Sequence, residues 1–160
     1  MAKKINYNQA LSSSFRLVIP GLEEVNYFVQ NTELPSINFS GIRTDYKNFA
    51  GNLPNNKIEY DPLNATFLVD EDYANHQALH LWMHQIRHGD KPLIQEMRDI
   101  TLHLTTSTKN TGRAAIFRGA HPIMLTAIPL ESSTTDATPV VCTVGFQYQY
   151  YEIVELNDVN

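Results

Sequence analysis

Histidines at regular intervals are the feature of this sequence that most suggests chemistry. Side chains four residues apart are neighbours on a helix, and the segment HQALH has the outline of the zinc-protease helix motif. However, Gln77 stands where that motif needs a glutamate as general base. Each step of four residues also rotates by about 40° around a helix, so an adjacent pair could chelate weakly but four side chains could not bind one ion. We therefore expect no resident metal and a polar stripe that faces solvent or another subunit. The four residues are His76, His80, His84 and His88.

Other reactive residue types have simpler explanations. Asp70, Glu71 and Asp72 could hold a cation, but they stand where a helix N-terminus favours oxygen acceptors and negative charge, and we favour that capping role. Cys142 is the only cysteine and lies in a strand pattern, so we expect a buried, reduced thiol. The sequence has no glycine-rich phosphate loop, no CxxC pair and no G-x-S-x-G elbow. We predict no enzyme activity and no cofactor.

The segment 59–89 predicts one strand followed by one long helix. Residues 63–70 alternate between apolar and mostly polar, as in a half-buried strand. The period then changes, because the apolar residues of 79–86 recur at i, i+3, i+4 and i+7, which is one face of a helix over about 72–88. Gly89 follows as a helix-ending glycine. A single helix in a β-rich chain must cover a sheet or barrel. The predicted core residues are Phe67, Leu79, Trp82, Met83, Ile86, Val144, Phe146 and Tyr148.

Most of the remaining chain alternates as β-strands. This pattern predicts a mainly β fold, an antiparallel sandwich or barrel with one flanking α-helix (about 72–88). Residues 1–14 are polar and are predicted to be a flexible N-terminal arm, with a single domain over 15–160. The predicted strands outside the central segment are 15–19, 26–33, 100–106, 114–119, 123–130 and 140–150, and His121-Pro122 is expected to break the fourth from the fifth.

Residues 36–60 are predicted to form a long extended hairpin arm. The segment scatters aromatic residues among polar ones and is punctuated by Gly41, Gly51 and Pro54. A stretch of this length without regular structure of its own is uncommon unless it has a role. An ordinary surface excursion is the alternative, but the exposed aromatics favour an arm that is ordered against a partner.

Charge and hydropathy exclude several classes of protein. The 160 residues carry a net charge of −5 and no basic block, which argues against tight duplex DNA binding through phosphate neutralisation. The N-terminus has no apolar core after its lysines, so it does not fit a signal peptide. No apolar run approaches the length needed to cross a bilayer. We expect a protein that folds in a cytoplasm and has no membrane partner.

In the order of its features, the sequence resembles the tail-tube protein family of contractile-tailed bacteriophages. The resemblance covers about 15–153, nearly the whole chain, and rests on an ordered set of segments. The aspartate-rich turn before a tryptophan-bearing helix and the aromatic final strand are its most specific parts. The segments are FRLVIPG, NTELPSI, GIRTDYKNFAGNLPNNKIEYDPL, TFLVDED, ALHLWMHQI and VGFQYQYYEI.

The resemblance implies a structural virion protein. Subunits of this family, like the type VI secretion tube proteins that share the fold, form hexameric rings. Neighbouring sheets join into a closed inner barrel, rings stack into a hollow tube, and DNA passes through it during ejection. A net-acidic surface would repel passing DNA without binding it specifically. The implied partners are further copies of the chain and the tail sheath, baseplate and tail terminator proteins. The implied location is the virion tail, after assembly in the host cytoplasm.

The resemblance also implies where copies of the chain touch. Arg43, Tyr46, Lys47 and Phe49 are the expected ring-to-ring contacts in the arm, and Lys3 with Tyr7 is expected to form a second contact. One alternative is a tube-initiator ring of the same fold at the baseplate junction. A different class, a monomeric metal-binding or ligand-binding β domain, rests mainly on the histidines.

Overall fold

A computed structural model of the chain describes residues 9–47, 49–106, 111–133 and 137–156, with the side chains at 44–46, 49–50, 52–56 and 111 outside that description. The fold is mainly antiparallel β, as predicted, and it includes the hairpin and the long helix. In chain order the elements are β1 (Phe15–Val18), α1 (Glu23–Phe28), β2 (Val29–Thr32), β3 (Ile37–Tyr46), β4 (Phe49–Tyr60), β5 (Leu63–Leu68), α2 (Ala74–His88), α3 (Leu93–Glu96), β6 (Arg98–Thr105), β7 (Thr111–Leu125), β8 (Val141–Gln147) and β9 (Tyr150–Glu155).

Seven of these strands form one continuous sheet. The strand order is β1-β6-β7-β8-β5-β2, and the long strand β7 belongs to both halves of the sheet. The first part of β7 pairs with β6 and β9, and its last part pairs with β8. All of these pairings are antiparallel. The arrangement fits a β-sandwich, and the described strands do not close into a barrel. Strands β3 and β4 form a separate two-stranded sheet.

The prediction that His121-Pro122 separates two strands was wrong, because β7 runs through this dipeptide. Its first part pairs with β6 and β9, and its last residues, from His121, pair with β8. Gly119 sits at this change of neighbours with φ +62°, a conformation that glycine adopts without steric cost. The last part of β7 pairs with β8 alone, and proline within sheets is found mainly on such edge strands and at bulges.

The single long strand predicted over 140–150 was also wrong, because it divides into β8 and β9. Strand β8 pairs with β5 and the end of β7, whereas β9 pairs with the first part of β7. The N–H of Gln149 donates to the carbonyl of Arg118 at 2.9 Å, across the corner formed at Gly119. A Cβ at Gly119 would lie 3.2 Å from the Gln149 side chain. Both chain segments therefore turn at one crowded corner.

Three charged side chains brace the same corner. The Asp99 carboxylate accepts the N–H of Gly119 at 3.0 Å and a guanidinium hydrogen of Arg118 at 2.8 Å. Arg118 also donates to Glu152 on β9 at 2.8 Å. The Gly119 hydrogen bond, followed by the Arg118 contact, lowers the pKa of Asp99 below its ordinary value. These bonds link β6, β7 and β9 where the sheet bends.

Helix α2 covers the core, but fewer of its apolar residues are fully buried than the sequence pattern indicated. Leu79 and Trp82 are fully buried, and Met83 and Ile86 are only partly buried. The Trp82 indole N–H donates to the carbonyl of Glu96 at 2.8 Å, which satisfies its one donor. The Phe67, Val144 and Phe146 side chains are also fully buried, and Tyr148 is nearly so.

The start of α2 differs from the predicted acidic cap. The helix begins at Ala74 after Tyr73, which has φ +58°, and no acidic residue lies in its first turn. Of the three acidic residues before the helix, only Asp70 accepts a helix N–H: its carboxylate accepts the N–H of Asn75 at 3.4 Å. Asn75 is fully buried and donates to the carbonyl of Leu68 on β5 at 2.8 Å. A buried amide, more than a negative charge, joins helix and strand here.

The end of α2 lies at Gly89 as predicted, but for a different reason. Gly89 has φ −70°, so it does not provide a left-handed cap. Its N–H donates to the carbonyl of Gln85 at 2.8 Å. A Cβ at this position would lie only 2.4 Å from that carbonyl oxygen. Gly89 is therefore required for close approach of the backbone.

The strand predicted over 26–33 begins later than expected, because residues 23–28 form the short helix α1. Leu22 and Val25 are buried and Phe28 packs on the core, a spacing of three that suits a helix. The Asn26 amide accepts the N–H of Ile19 at 2.8 Å and donates to its carbonyl at 3.1 Å. The predicted connector after α2 also contains a short helix, α3. The described part of the chain therefore has two more helices than the one predicted.

Two tyrosines fasten the base of the hairpin to the body. The Tyr148 hydroxyl donates to the carbonyl of Asp61, just after β4, at 2.7 Å. The Tyr151 hydroxyl donates to the carbonyl of Pro35, just before β3, at 3.2 Å. The Tyr60 ring lies 5.8 Å from Tyr148 and 5.7 Å from Tyr151, measured between centroids. We call Tyr60, Tyr148 and Tyr151 the tyrosine clamp.

None of the helices in the described ranges has the length and apolar character needed to cross a membrane.

The hydroxyl of Tyr148 should contribute measurably to stability. Tyr148→Phe leaves the Asp61 carbonyl without this donor, so we expect the free energy of unfolding at pH 7 to fall by about 1 kcal/mol in urea denaturation of the unassembled protein. Tyr150→Phe is the matched control, because the Tyr150 side chain is 46% exposed. Equal losses in the two variants would contradict a role for this hydrogen bond.

The same pair of variants has an expected pH dependence. Burial, followed by the neighbouring Tyr151 and Tyr60, raises the pKa of Tyr148. The unfolded chain therefore loses this proton first, and the free energy of unfolding should decline as the pH rises above about 10. The decline should be smaller in the Tyr148→Phe variant than in the Tyr150→Phe variant.

Candidate assembly interface

The hairpin of β3 and β4 projects a surface that the rest of the chain does not cover. Its antiparallel register runs from Ile37↔Tyr60 to Tyr46↔Phe49, with a shift between Phe39 and Gly41. Every side chain from Ser36 to Arg43 is exposed. An isolated two-stranded hairpin is at best marginally stable in water. This arm therefore depends on its base and on any surface that covers it.

An apolar strip begins at the tyrosine clamp and continues onto the arm. Ile37 lies opposite Tyr60, and Phe39 lies opposite Ile58, so all four share one face of the hairpin. Tyr60 packs on the core, whereas Ile37, Phe39 and Ile58 are 46%, 63% and 42% exposed. We call Ile37, Phe39 and Ile58 the arm strip. A contiguous exposed apolar surface is a candidate interaction site.

The predicted contact residues lie near the tip of the arm. Arg43 is exposed on β3, and Lys47 is exposed in the turn that follows it. Tyr46 and Phe49 are backbone partners that close the hairpin, and their side chains lie outside the described part. Lys3 and Tyr7 lie outside the described residues altogether. Sequence reasoning missed the arm strip as a unit, although period-two alternation of Ile37 and Phe39 was its signal.

Free sheet edges form a second candidate surface. Among the described strands, β1 and β9 each have one neighbour, as do β2 and the last part of β7. Tyr150 and Ile153 on β9 are 46% and 48% exposed, and Ile123 and Met124 on β7 are 47% and 45% exposed. Edge strands with unpaired backbone groups and exposed apolar side chains favour pairing with another chain.

The outer face of α2 carries the regularly spaced histidines. His80, His84 and His88 are exposed and His76 is partly buried. Burial, with a smaller effect of His80, lowers the pKa of His76. Among the described residues, no three histidine, cysteine, aspartate or glutamate side chains converge on one point. Leu81, on the side away from the core stripe, is 50% exposed.

The other groups considered for chemistry have structural environments. Cys142 is buried, and its thiol donates to the carbonyl of Thr126 at 3.4 Å. Glu71 and Asp72 are exposed in the turn before α2. His103 and His121 each bury Nδ1 without a hydrogen-bond partner, and burial, followed by Arg16, lowers the pKa of His103.

Comparison with solved structures identifies the same fold in contractile injection systems. A chain of the tube-terminating cap of the anti-feeding prophage is 15% identical with a TM-score of 0.70, and the match covers 97% of each chain. A chain of the sheath–tube complex of an extracellular contractile injection system is 14% identical with a TM-score of 0.64, covering 94% of each. Hcp1 from Flavobacterium johnsoniae is 14% identical with a TM-score of 0.54, covering 90% of this chain and 98% of Hcp1.

Comparison of sequences gives the family directly. No protein with a curated description matches the chain. The sequence model of the family described as "Phage tail tube protein" matches residues 4–154, nearly the full length. The features quoted from the sequence and the fold that the chain adopts agree with this match. The chain belongs to the phage tail tube protein family.

Proposed function

We propose that this protein is a structural subunit of a phage tail, and that its copies form stacked, hexameric rings that make the tail tube. The observation that carries the proposal is the arm strip, an apolar surface that leaves the body in a chain matched over residues 4–154 to a tail tube family. The role needs neither a catalytic centre nor a cofactor.

Ring closure in this proposal uses the free edges of the sheets. Strands β1 and β9 end one half of the sheet path, and β2 and the last part of β7 end the other. Pairing an edge of one copy with an edge of the next satisfies unpaired backbone groups and covers exposed side chains such as Ile153 and Ile123. A closed ring leaves no such edge open.

Stacking in this proposal uses the arm. The arm strip loses its contact with water when it lies on the adjacent ring, and burial of apolar area is favourable by roughly 25 cal/mol per Å². Arg43, Tyr46, Lys47 and Phe49 would then extend the contact toward the tip. Lys3 and Tyr7 would form a second contact near the N-terminus.

The remaining parts of the proposal concern what surrounds the tube. Sheath, baseplate and terminator proteins are the expected neighbours in the virion tail, after assembly in the host cytoplasm. A related structure is a chain of a sheath–tube complex, which supports the first of these partners by analogy of fold. DNA is proposed to pass through the lumen without specific binding, because the chain carries a net charge of −5.

Negative-stain microscopy of the purified protein, with its mass in solution, tests the proposal. We expect stacked rings or long hollow tubes at high protein concentration. Single rings that never stack would instead favour the ring at the baseplate junction. A chain that stays a monomer near 18.2 kDa at every concentration would contradict the assembly proposal.

The arm should be needed for stacking but not for folding. We expect Tyr46→Ala combined with Phe49→Ala, and separately Phe39→Ser, to give folded protein that no longer forms tubes, because each removes apolar area from the proposed contact. Circular dichroism checks the fold and microscopy checks assembly. Tyr27→Ala is the control, since it removes an aromatic ring that is 83% exposed on α1, away from the arm. Tubes formed as readily by the arm variants as by the control would rule out this role.

The proposed lumen should not retain DNA. We expect assembled tubes to leave the mobility of a linear DNA duplex unchanged at about 0.15 M salt, because the net-acidic chain repels a polyanion and the Debye length there is about 8 Å. Retardation that weakens steeply as salt is raised would show phosphate contacts, and would contradict passage without binding.

A further inference from the structure

The exposed histidines of α2 form a continuous row of imidazole rings. The ring centroids of His80 and His84 lie 4.4 Å apart at an interplanar angle of 49°. Those of His84 and His88 lie 6.0 Å apart at 22°. All three side chains are exposed, so a hydrated ion can reach them. His76, four residues earlier, is partly buried and less accessible.

These distances bracket the separation that a shared metal ion requires. A metal–nitrogen bond of about 2.0–2.1 Å places each imidazole centroid about 3.2 Å from the ion. Two rings that bind at angles of about 90–109° then have centroids about 4.5–5.2 Å apart. The first pair lies just below this range and the second above it, and both differences are within reach of a side-chain rotation on an exposed surface.

The row offers one ion two ligands at a time. His80 and His88 are eight residues apart, which is about 12 Å along a helix axis, too far for one ion. His84 is the member common to both adjacent pairs. The described part of the chain brings no third histidine, cysteine or carboxylate into a cluster. Water would fill the remaining positions, which makes the site open and exchangeable.

We propose that His84, together with either His80 or His88, binds a divalent late first-row transition-metal ion such as Zn²⁺, Ni²⁺ or Cu²⁺. Imidazole suits these ions, whereas Mg²⁺ and Ca²⁺ prefer oxygen ligands. The ligands come from one helix of one chain, so the site is independent of tube formation. An α-helix holds the pair in place, and the ion in turn stabilises folded α2 by mass action.

Calorimetric titration of the untagged, full-length protein after treatment with a chelator tests the site. We expect Ni²⁺, Zn²⁺ and Cu²⁺ to bind, and Mg²⁺ and Ca²⁺ to give no binding heat. His84→Ala removes the shared ligand, so the affinity of this variant for the metal ion should fall at least about 10-fold. Changes of residues outside the ligand set already cause a loss of about that size. His80→Ala and His88→Ala should each retain binding, because each leaves one pair intact.

Gln85→Ala is the matched control, because it changes the adjacent exposed residue without removing a ligand. Alanine favours helix more than histidine or glutamine, so α2 should persist in all four variants, as circular dichroism can check. Paramagnetic broadening of the histidine ring signals by Ni²⁺ or Cu²⁺ provides a second readout on the natural chain. Broadening should reach the rings of His80, His84 and His88.

Three outcomes would overturn the proposal. The first is the absence of binding for all three transition-metal ions. The second is an unchanged affinity in His84→Ala, which would place any bound ion elsewhere. The third is loss of binding in His80→Ala and His88→Ala as well as in His84→Ala, because the two pairs would then not act as alternatives.

Discussion

The position of the arm depends on two hydrogen bonds from tyrosine hydroxyls. Tyr148 and Tyr151 donate to carbonyl oxygens on either side of the hairpin, at Asp61 and Pro35. These two carbonyls lie just outside β3 and β4, and an acceptor that folding removes from water without a donor is costly. Tyr148 lies in the segment that joins β8 to β9, and Tyr151 is the second residue of β9, so both bonds fix the arm to the corner of the sheet. The fold of the body therefore sets the direction in which the arm projects.

That corner exists because two segments change sheet halves at the same place. β7 bends at Gly119, where φ is +62°, and β8 gives way to β9 beside it. The Phe117 ring fills the inside of the bend, 4.9 Å from Tyr148 and 5.2 Å from Tyr151. Asp99 and Arg118 tie the outside. Aromatic packing inside and ionic hydrogen bonds outside leave the clamp little freedom to move.

The sequence alone predicted the elements whose periodicity is local. Helix α2 and the buried positions of β5 follow from the residue period, whereas the hairpin was predicted from its length, its aromatics and its glycine and proline punctuation; the structure agrees with all three. It did not predict the continuous β7 or the break before β9, because both depend on which strand lies alongside. The tyrosine clamp could not be predicted from the sequence either, because 87 residues separate Tyr148 from Asp61 and 116 separate Tyr151 from Pro35. The arm strip requires the register Phe39↔Ile58, and the shift beyond Phe39 is not evident from the order of residues.

The described part of the chain leaves the arm strip and several strand edges uncovered, which links the fold to the proposed assembly. An arm with only two strands gains little stability in water, yet its apolar face is continuous with the core through Tyr60. The body likewise ends in strands with free edges. Covering these surfaces with further copies would offset the conformational entropy that ordering the arm costs. The clamp lowers that cost in advance by holding the base in one orientation. Because the apolar face of the arm would then be buried only between chains, the residues that leave the arm of one copy marginally stable would make assembly cooperative.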